Sequence, residues 1–138
     1  MLQVNIDWIG AKQFSAVNVE GAKFTMDIKK KSGGSGDYAS PTDHLLAAVG
    51  GCTAVDVVNI LAKMRQELRS LRIEVEGIQA EEHPRYFTDI KLKYILTGDN
   101  LDRNKVEQAV ELSQTSYCSV RASLSEKCRV RYEIEINQ

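Results

Sequence analysis

Hydrophobic and polar residues alternate along the first part of the chain in a way that predicts three β-strands. Leu2 to Trp8 carries an apolar side chain at every second position, and Phe24 to Ile28 does the same. Between them, Phe14 to Val19 alternates with a shift of phase halfway and is followed by a turn at Glu20-Gly21. Three short strands in succession are typical of an antiparallel meander. We expect the first strand to be half-buried.

A long apolar segment follows a solvated loop of lysine, glycine and serine at residues 29–37. Its start is typical of a helix: Ser40 can cap it, Pro41 fits the first helical position, and Asp43 completes a capping box. From Leu45 to Leu61 almost every residue is apolar or small. The pattern predicts a helix buried on all sides, in a domain core or against a partner. We expect it to run from Ser40 to about Leu68.

Two glycines interrupt this helix just before a cysteine. Each glycine in a helix interior costs about 1 kcal/mol relative to alanine. Gly50 and Gly51 therefore suggest that another part of the structure approaches the backbone closely there. Cys52, the next residue, is the first candidate for chemistry.

The second half of the chain adds three strands and one long helix. The predicted elements are strands at Leu71 to Ala80, Ile90 to Leu96 and Cys128 to Ile136, a helix at Leu101 to Ser116, and a short helical piece at Val120 to Leu124. Gly77 shifts the alternation of its strand, as a β-bulge would. The order βββ-α-ββ-α-β predicts an α+β domain with two main helices on one face of a mainly antiparallel sheet. Its length favours a single domain over residues 1–138.

Composition narrows the possible partners and location. The net charge is −1 and no basic block is present, so we do not expect a nucleic acid partner. The apolar segment spans fewer residues than a membrane helix needs and contains Asp56 and Asn59, so we expect no membrane span. The N-terminus lacks the pattern of a signal peptide, which predicts a cytoplasmic protein. In the cytoplasm, cysteines are expected to be free, reactive or buried rather than joined in structural disulfides.

The three cysteines differ in their surroundings. Cys128 lies on the apolar face of a regular strand, where a thiol behaves as a small hydrophobe. Cys52 lies inside a helix and Cys118 between two helical segments; from the pattern alone, either can be reactive or a plain core residue. There is no CxxC motif, and the cysteines and histidines lack paired zinc-ligand spacing. We therefore expect no metal and no cofactor.

Two neighbours of Cys52 on the helix could change its chemistry. His44 lies eight residues earlier, about 80° around an ideal helix, and either lines the same pocket or points to solvent. Asp56 lies four residues later, directly beside Cys52 on the helix surface. A nearby carboxylate raises the pKa of a thiol. Asp56 thus argues against easy activation unless a cation pairs with it.

Two segments resemble the cysteine motifs of the OsmC/Ohr family. The first motif consists of Ser40-Pro41, Leu45-Leu46-Ala47-Ala48, Gly50-Gly51-Cys52, Asp56-Val57-Val58 and Ile60-Leu61. The second is Ser116-Tyr117-Cys118-Ser119-Val120. The predicted order of elements also matches the family's fold, so the resemblance covers nearly the whole chain. The glycine pair before Cys52 is most similar to the OsmC-like (YhfA-like) branch.

The resemblance implies an intertwined homodimer with two sites at the subunit interface. It also implies an organic hydroperoxide reductase that acts in oxidative-stress defence. Cys52 would attack the peroxide as a thiolate and become a sulfenic acid, and Cys118 would condense with it to a disulfide that an external dithiol reduces. The apolar surroundings of Cys52 suit a fatty or aryl hydroperoxide.

Two positions depart from the peroxidase branches of the family. Those branches carry a glutamate in the turn that opens this helix, where Thr42 stands here with Asp43 beside it. They also use an N-terminal arginine to hold the thiolate, whereas the first arginine of this chain is Arg65. Lys12 or Lys23 could substitute, although lysine lacks the planar bidentate fork. The expected binding residues around the pocket are Thr42, Asp43, His44 and Asp56.

These departures leave two alternatives open. In the first, the protein is a binding module whose pocket holds an apolar or electrophilic small molecule without turnover. In the second, the cysteines are packing residues of a structural dimer and carry no chemistry.

Overall fold

Three strands near the N-terminus form the antiparallel meander that the alternation predicts. In the computed structural model, which describes residues 1–138, β1 spans Val4–Gly10, β2 spans Gln13–Asn18 and β3 spans Lys23–Met26. They pair in the order β1-β2-β3. These strands and a short 3₁₀ turn belong to a first unit, Met1–Leu45, and the remaining residues form a second unit.

One face of this three-stranded sheet is apolar, and its large side chains Ile6, Trp8, Phe14 and Phe24 are exposed, whereas the small Ala16 among them is buried. Two rows of paired residues cross the sheet, Trp8–Phe14–Met26 and Ile6–Ala16–Phe24. Directly paired residues lie on the same face of a sheet, so the two rows are neighbours. Trp8 is 69% exposed, and every residue of β1 is exposed. The prediction of a half-buried first strand is therefore wrong for the single chain.

The long helix begins as its sequence predicts. Helix α1 spans Pro41–Lys63. The Ser40 backbone N–H donates to the Asp43 carboxylate at 3.0 Å, and the Asp43 N–H donates to the Ser40 hydroxyl at 3.3 Å. These reciprocal bonds are the predicted capping box.

The end of α1 lies earlier than predicted. Arg65 adopts the left-handed conformation with φ of 58°, which turns the chain out of the helix. The Gln66 N–H then donates to the Leu61 carbonyl and the Arg65 N–H to the Ala62 carbonyl. This is the Schellman arrangement, in which glycine is the usual residue. Because Arg65 stands where glycine is usual, nothing in the sequence indicates that the helix ends here. The prediction of a helix to about Leu68 is therefore wrong.

Helix α1 is not buried on all sides within the chain. Its fully buried side chains repeat every four residues, at Val49, Thr53, Val57 and Leu61. The other side exposes Val55 and Val58, with Val55 61% exposed, and Leu45 is exposed at the start of the helix. By length and composition alone α1 could cross a membrane, but core helices of soluble proteins pass the same test.

The second unit contains a sheet of strands β4 (Glu67–Gln79), β5 (Phe87–Asp99) and β6 (Arg129–Asn137), in that order. Strands β4 and β5 pair antiparallel, whereas β5 and β6 pair parallel. Between β5 and β6 the chain forms helix α2 (Arg103–Leu112), a π turn (Ser113–Tyr117) and helix α3 (Ser119–Ala122). This crossover returns the chain to the starting end of β5, which makes the parallel pair possible.

The α+β class and the element order are as predicted, and three of the four strand pairings are antiparallel. The core of the second unit lies between β5 and the helices. Side chains of β5, α1 and α2 form it, with Ile90, Leu92, Tyr94, Leu96, Val57, Leu61, Val106 and Val110 all inaccessible or nearly so.

Gly77 and Gly50 leave space that neighbouring side chains fill. Gly77 pairs in register with Ile90, so the predicted bulge is not there; the irregularity lies one residue later, at Ile78/Gln79. A Cβ at Gly77 would lie 2.5 Å from a ring carbon of Phe87. At Gly50 it would lie 2.9 Å from a Val75 methyl group, which confirms the predicted close approach there, whereas nothing lies within 4 Å at Gly51.

We predict that Gly77→Ala lowers the free energy of unfolding by about 1–3 kcal/mol, because the Phe87 ring must shift to admit a methyl group. Denaturant unfolding followed by circular dichroism measures the change. Gly51→Ala is the matched control, since that position is open and alanine is the better helix former. An unchanged midpoint for Gly77→Ala would contradict the packing role.

Candidate thiol site

The structure brings Cys52 and Cys118 together. Cys52 lies in the middle of α1 and is half-buried, whereas Cys118 follows the π turn and is only 4% exposed. Both thiols are free, and Cys52 is close enough to raise the pKa of the Cys118 thiol. Two neighbouring free thiols are the arrangement that thiol–disulfide chemistry requires.

A π turn delivers Cys118 to this position. Helix α2 keeps α-helical geometry to Leu112, after which the Cys118 N–H donates to the Ser113 carbonyl, five residues back, at 2.9 Å. The wider turn replaces the last part of the helix that was predicted to reach Ser116. Single π turns within helices are frequent at functional sites.

The surroundings of Cys118 keep it protonated. Burial is the main cause of its raised pKa, and the neighbouring Cys52 thiol and the charge of Asp56 raise it further. The Arg121 backbone N–H, which donates to the Cys118 sulfur at 3.4 Å, acts in the opposite direction. From the sequence we expected Asp56 to act on Cys52, its neighbour on the helix; the structure shows the charge of Asp56 raising the pKa of Cys118.

Six polar side chains link the two cysteine segments, and we call them the polar chain. In order they are Asp56, Ser113, Thr53, Tyr94, Gln114 and Arg121, with successive hydrogen bonds of 2.7, 2.7, 2.7, 2.6 and 2.8 Å. Asp56 and Thr53 come from α1, Tyr94 from β5, Ser113 and Gln114 from the π turn, and Arg121 from α3.

The middle of the polar chain is inaccessible to solvent. Thr53, Ser113 and Tyr94 are fully buried, and Gln114 is nearly so. Burial raises the pKa of the Tyr94 phenol, so its hydroxyl keeps the proton that it donates. Apart from Asp56, these residues were not among the predicted site residues. The sequence held one signal of this network: Tyr94 lies on the apolar face of a predicted strand, and a buried hydroxyl requires a hydrogen-bond partner.

Three predicted binding residues lie in the first unit, at the start of α1. Asp43 accepts from the Ser40 hydroxyl at 2.8 Å and pairs with Lys29 at 3.3 Å. The Ser40 bonds are the main cause of its lowered pKa, with Lys29 contributing. The Thr42 hydroxyl contacts that of Ser40 at 3.2 Å. The cation at the helix start is thus Lys29, which the sequence placed in a solvated loop.

His44 does not point freely to solvent. Its ring packs on Phe24 with centroids 5.0 Å apart, and its Nε2 atom is buried without a hydrogen-bond partner. Cys128, the third cysteine, packs against the hydrophobic core, and burial raises its pKa. No group of three or more potential metal ligands converges anywhere in the chain.

Known proteins resemble this chain in sequence and in fold. Residues 34–133 match the model of the OsmC-like protein family. Protein YhfA of Escherichia coli K12 is 37% identical over 136 residues, with 98% of each chain covered. A hypothetical protein from Aquifex aeolicus VF5 is 30% identical with a TM-score of 0.83, and the match covers 100% of this chain and 98% of that one.

The fold extends to proteins of more distant sequence. An organic hydroperoxide resistance protein from Elizabethkingia anophelis is 14% identical with a TM-score of 0.72, and the match covers 99% of this chain and 96% of that one. That likeness concerns the fold alone, whereas the match to the family model and the identity to YhfA concern the sequence as well. The chain belongs to the OsmC-like family.

Proposed function

We propose that the protein is a thiol peroxidase that reduces organic hydroperoxides with Cys52 and Cys118. The observation that carries the proposal is a pair of free, neighbouring thiols, of which Cys52 is half-buried and Cys118 is buried. We place this chemistry in the cytoplasm, within oxidative-stress defence, where thiols are kept reduced between turnovers. Residues 1–138 act as one OsmC-like domain in this proposal.

The two cysteines take different roles. Cys118 holds its proton, which leaves the more accessible Cys52 as the attacking thiolate. The Cys52 sulfur attacks a peroxide oxygen, the O–O bond breaks, and the alkoxide leaves as an alcohol after taking a proton. Cys52 is then a sulfenic acid.

The second step closes a disulfide. The Cys118 sulfur attacks the Cys52 sulfur, the S–O bond breaks, and the Cys118 proton leaves with the hydroxide as water. An external dithiol then reduces the disulfide by exchange. The position of free Cys118 beside Cys52 in the reduced protein supports this step.

A cavity lined by sequence neighbours of the two cysteines, though by neither cysteine itself, supports an apolar substrate. It has a volume of about 350 Å³ and is lined by Asp56, Asn59, Ile60, Lys63, Leu112 and Tyr117. Tyr117 directly precedes Cys118, and Asp56 lies one turn after Cys52. Apolar walls with a few polar groups are typical of small-molecule sites.

We propose that two copies of the chain form a homodimer. The first unit exposes one apolar sheet face, and α1 exposes Val55 and Val58. Soluble monomers rarely leave large apolar faces open, so these surfaces favour a partner. A second copy would cover them by supplying the same apolar surfaces.

A second candidate function is binding without turnover. It is favoured by Thr42, which stands where the peroxidases carry a glutamate, and by Lys29 standing in for arginine beside Asp43. An apolar or electrophilic molecule retained by the purified protein, with thiols that hydroperoxide does not consume, would decide for this function. If both thiols are instead unreactive near neutral pH, the cysteines are packing residues only.

We predict that Cys52→Ser lowers the consumption of cumene hydroperoxide in the presence of dithiothreitol by about 100-fold or more, because a serine hydroxyl is a far weaker nucleophile than a thiolate. In Cys118→Ser, one equivalent of peroxide should leave a Cys52 sulfenic acid that dimedone traps, with no intramolecular disulfide by mass spectrometry. Cys128→Ser is the matched control and should behave as wild type. Full activity of Cys52→Ser would exclude the mechanism.

We predict that Asp56→Asn shifts the pH profile of Cys118 alkylation to lower pH. A negative charge beside a thiol disfavours the thiolate, so removing it lowers the pKa of Cys118, although burial still keeps that pKa raised. Rates of iodoacetamide labelling against pH, measured with Cys52 and Cys128 replaced by serine, report the change. Asp99→Asn, at an exposed site, is the control; an upward or absent shift in Asp56→Asn would refute the assignment.

We predict that the chain sediments at twice its 15.4 kDa mass. Val55→Asp should raise the dimer dissociation constant at least about tenfold, because the new carboxylate would have to be buried. Analytical ultracentrifugation over a concentration series measures this constant. Lys105→Asp on an already polar surface is the control, and a monomer at all concentrations would contradict the dimer.

A further inference from the structure

The donors and acceptors of the polar chain allow only one arrangement. The Arg121 guanidinium can only donate, so its Nε–H donates to the Gln114 carbonyl oxygen, and the Gln114 amide then donates to the Tyr94 oxygen. At the other end, the Ser113 hydroxyl uses its single proton on the Asp56 carboxylate.

The two remaining bonds follow by elimination. Because the Ser113 proton is engaged, Thr53 must donate to Ser113. Because the Thr53 proton is then engaged, Tyr94 must donate to Thr53. Every bond therefore points from the guanidinium of Arg121 towards the carboxylate of Asp56. Hydrogen bonds in such a one-way sequence polarise and strengthen one another.

The polar chain adjoins the thiol pair at its middle and at both ends. In the middle, Thr53 directly follows Cys52 along α1. At one end, the charge of Asp56 acts on Cys118. Arg121, whose side chain starts the polar chain, donates its backbone N–H to the Cys118 sulfur. The same residues that fix the polar chain thus fix the segments that carry the two sulfur atoms.

We propose that Thr53 and Tyr94 are positioning residues that hold Cys118 against Cys52 for disulfide closure. The inference rests on the proposed function, since it concerns the resolving step of that thiol chemistry. Neither hydroxyl touches the reacting atoms; each acts through the segments it joins. A buried polar network in which every member is satisfied rigidifies the core and specifies one arrangement of the segments that it joins.

An aryl disulfide tests this role without a peroxide. One equivalent of 4,4′-dithiodipyridine reacts with Cys52, and the sulfur–sulfur bond of the reagent breaks to release one thiopyridone. Cys118 then attacks the Cys52 sulfur and releases the second thiopyridone, which takes up the Cys118 proton. Stopped-flow absorbance separates the two releases when Cys128 is replaced by serine. The first rate reports attack, and the second reports closure.

Tyr94→Phe should slow the second release by about tenfold or more and leave the first within about twofold, because small misplacements of reacting groups have effects of this size. Tyr132→Phe is the matched control: that hydroxyl donates to Glu111 outside the polar chain, and neither rate should change. A Tyr94→Phe protein that is folded by circular dichroism and closes at the wild-type rate overturns the proposal.

A second pair of variants separates positioning from simple stability. Thr53→Ser keeps the hydroxyl but loses a methyl group, whereas Thr53→Val keeps the volume but loses the hydroxyl. Positioning predicts fast closure in Thr53→Ser and slow closure in Thr53→Val, whichever protein melts at the lower temperature. Closure rates that follow the melting temperatures instead overturn the proposal.

The two proposals fail in distinguishable ways. A wild-type protein that releases both thiopyridones rapidly but does not consume cumene hydroperoxide refutes the peroxidase and supports the positioning role through its variants. A wild-type protein that consumes peroxide, with all four variants closing as fast as it does, refutes the positioning role alone.

Discussion

A single buried hydroxyl constrains much of the second unit. Strand β5 alternates so that Tyr94 points into the core between Leu92 and Leu96, where water cannot reach its oxygen. A buried hydroxyl without a partner costs about 1–3 kcal/mol. Helix α1 must therefore place Thr53 within hydrogen-bond distance of the Tyr94 hydroxyl, and the segment between β5 and β6 must place Gln114 there too. The packing of both segments on the strand is set by polar bonds inside an otherwise apolar core.

The thiol pair follows from that constraint. Once Thr53 faces Tyr94, its neighbour Cys52 is placed at the edge of the buried stripe of α1. Ser113 must reach Thr53 and Gln114 must reach Tyr94, and both are accommodated where α2 widens into a π turn. The same turn ends with the bond from the Cys118 N–H to the Ser113 carbonyl, which brings the second sulfur to the first.

Local signals in the sequence were enough for the elements but not for these contacts. Alternation predicted the strands, and Ser40 with Asp43 predicted the start of α1. The stop at Arg65 and the role of Gly77 were not predictable, because one depends on an arginine in a conformation typical of glycine and the other on a distant phenylalanine. Thr53 and Tyr94 are 41 residues apart and Thr53 and Ser113 are 60, so no local pattern reveals that their hydroxyls meet. Cys52 and Cys118 were candidates from the pattern, but only the family resemblance favoured a functional role over core packing for them.

Helix α1 also explains how one thiol can serve two partners. Its buried stripe includes Thr53 and carries the polar bonds, whereas the opposite side is apolar and open, with no neighbour within 4 Å of Gly51. Cys52 lies between Gly51 and Thr53 at the border of the two sides, next to buried Cys118 and itself half-buried. In the proposed chemistry, a cysteine deeper in the stripe would be closed to a hydroperoxide and to a reducing dithiol. A cysteine in the middle of the open side would lose its neighbour Cys118 and would be covered in the proposed dimer, and the border position meets both requirements.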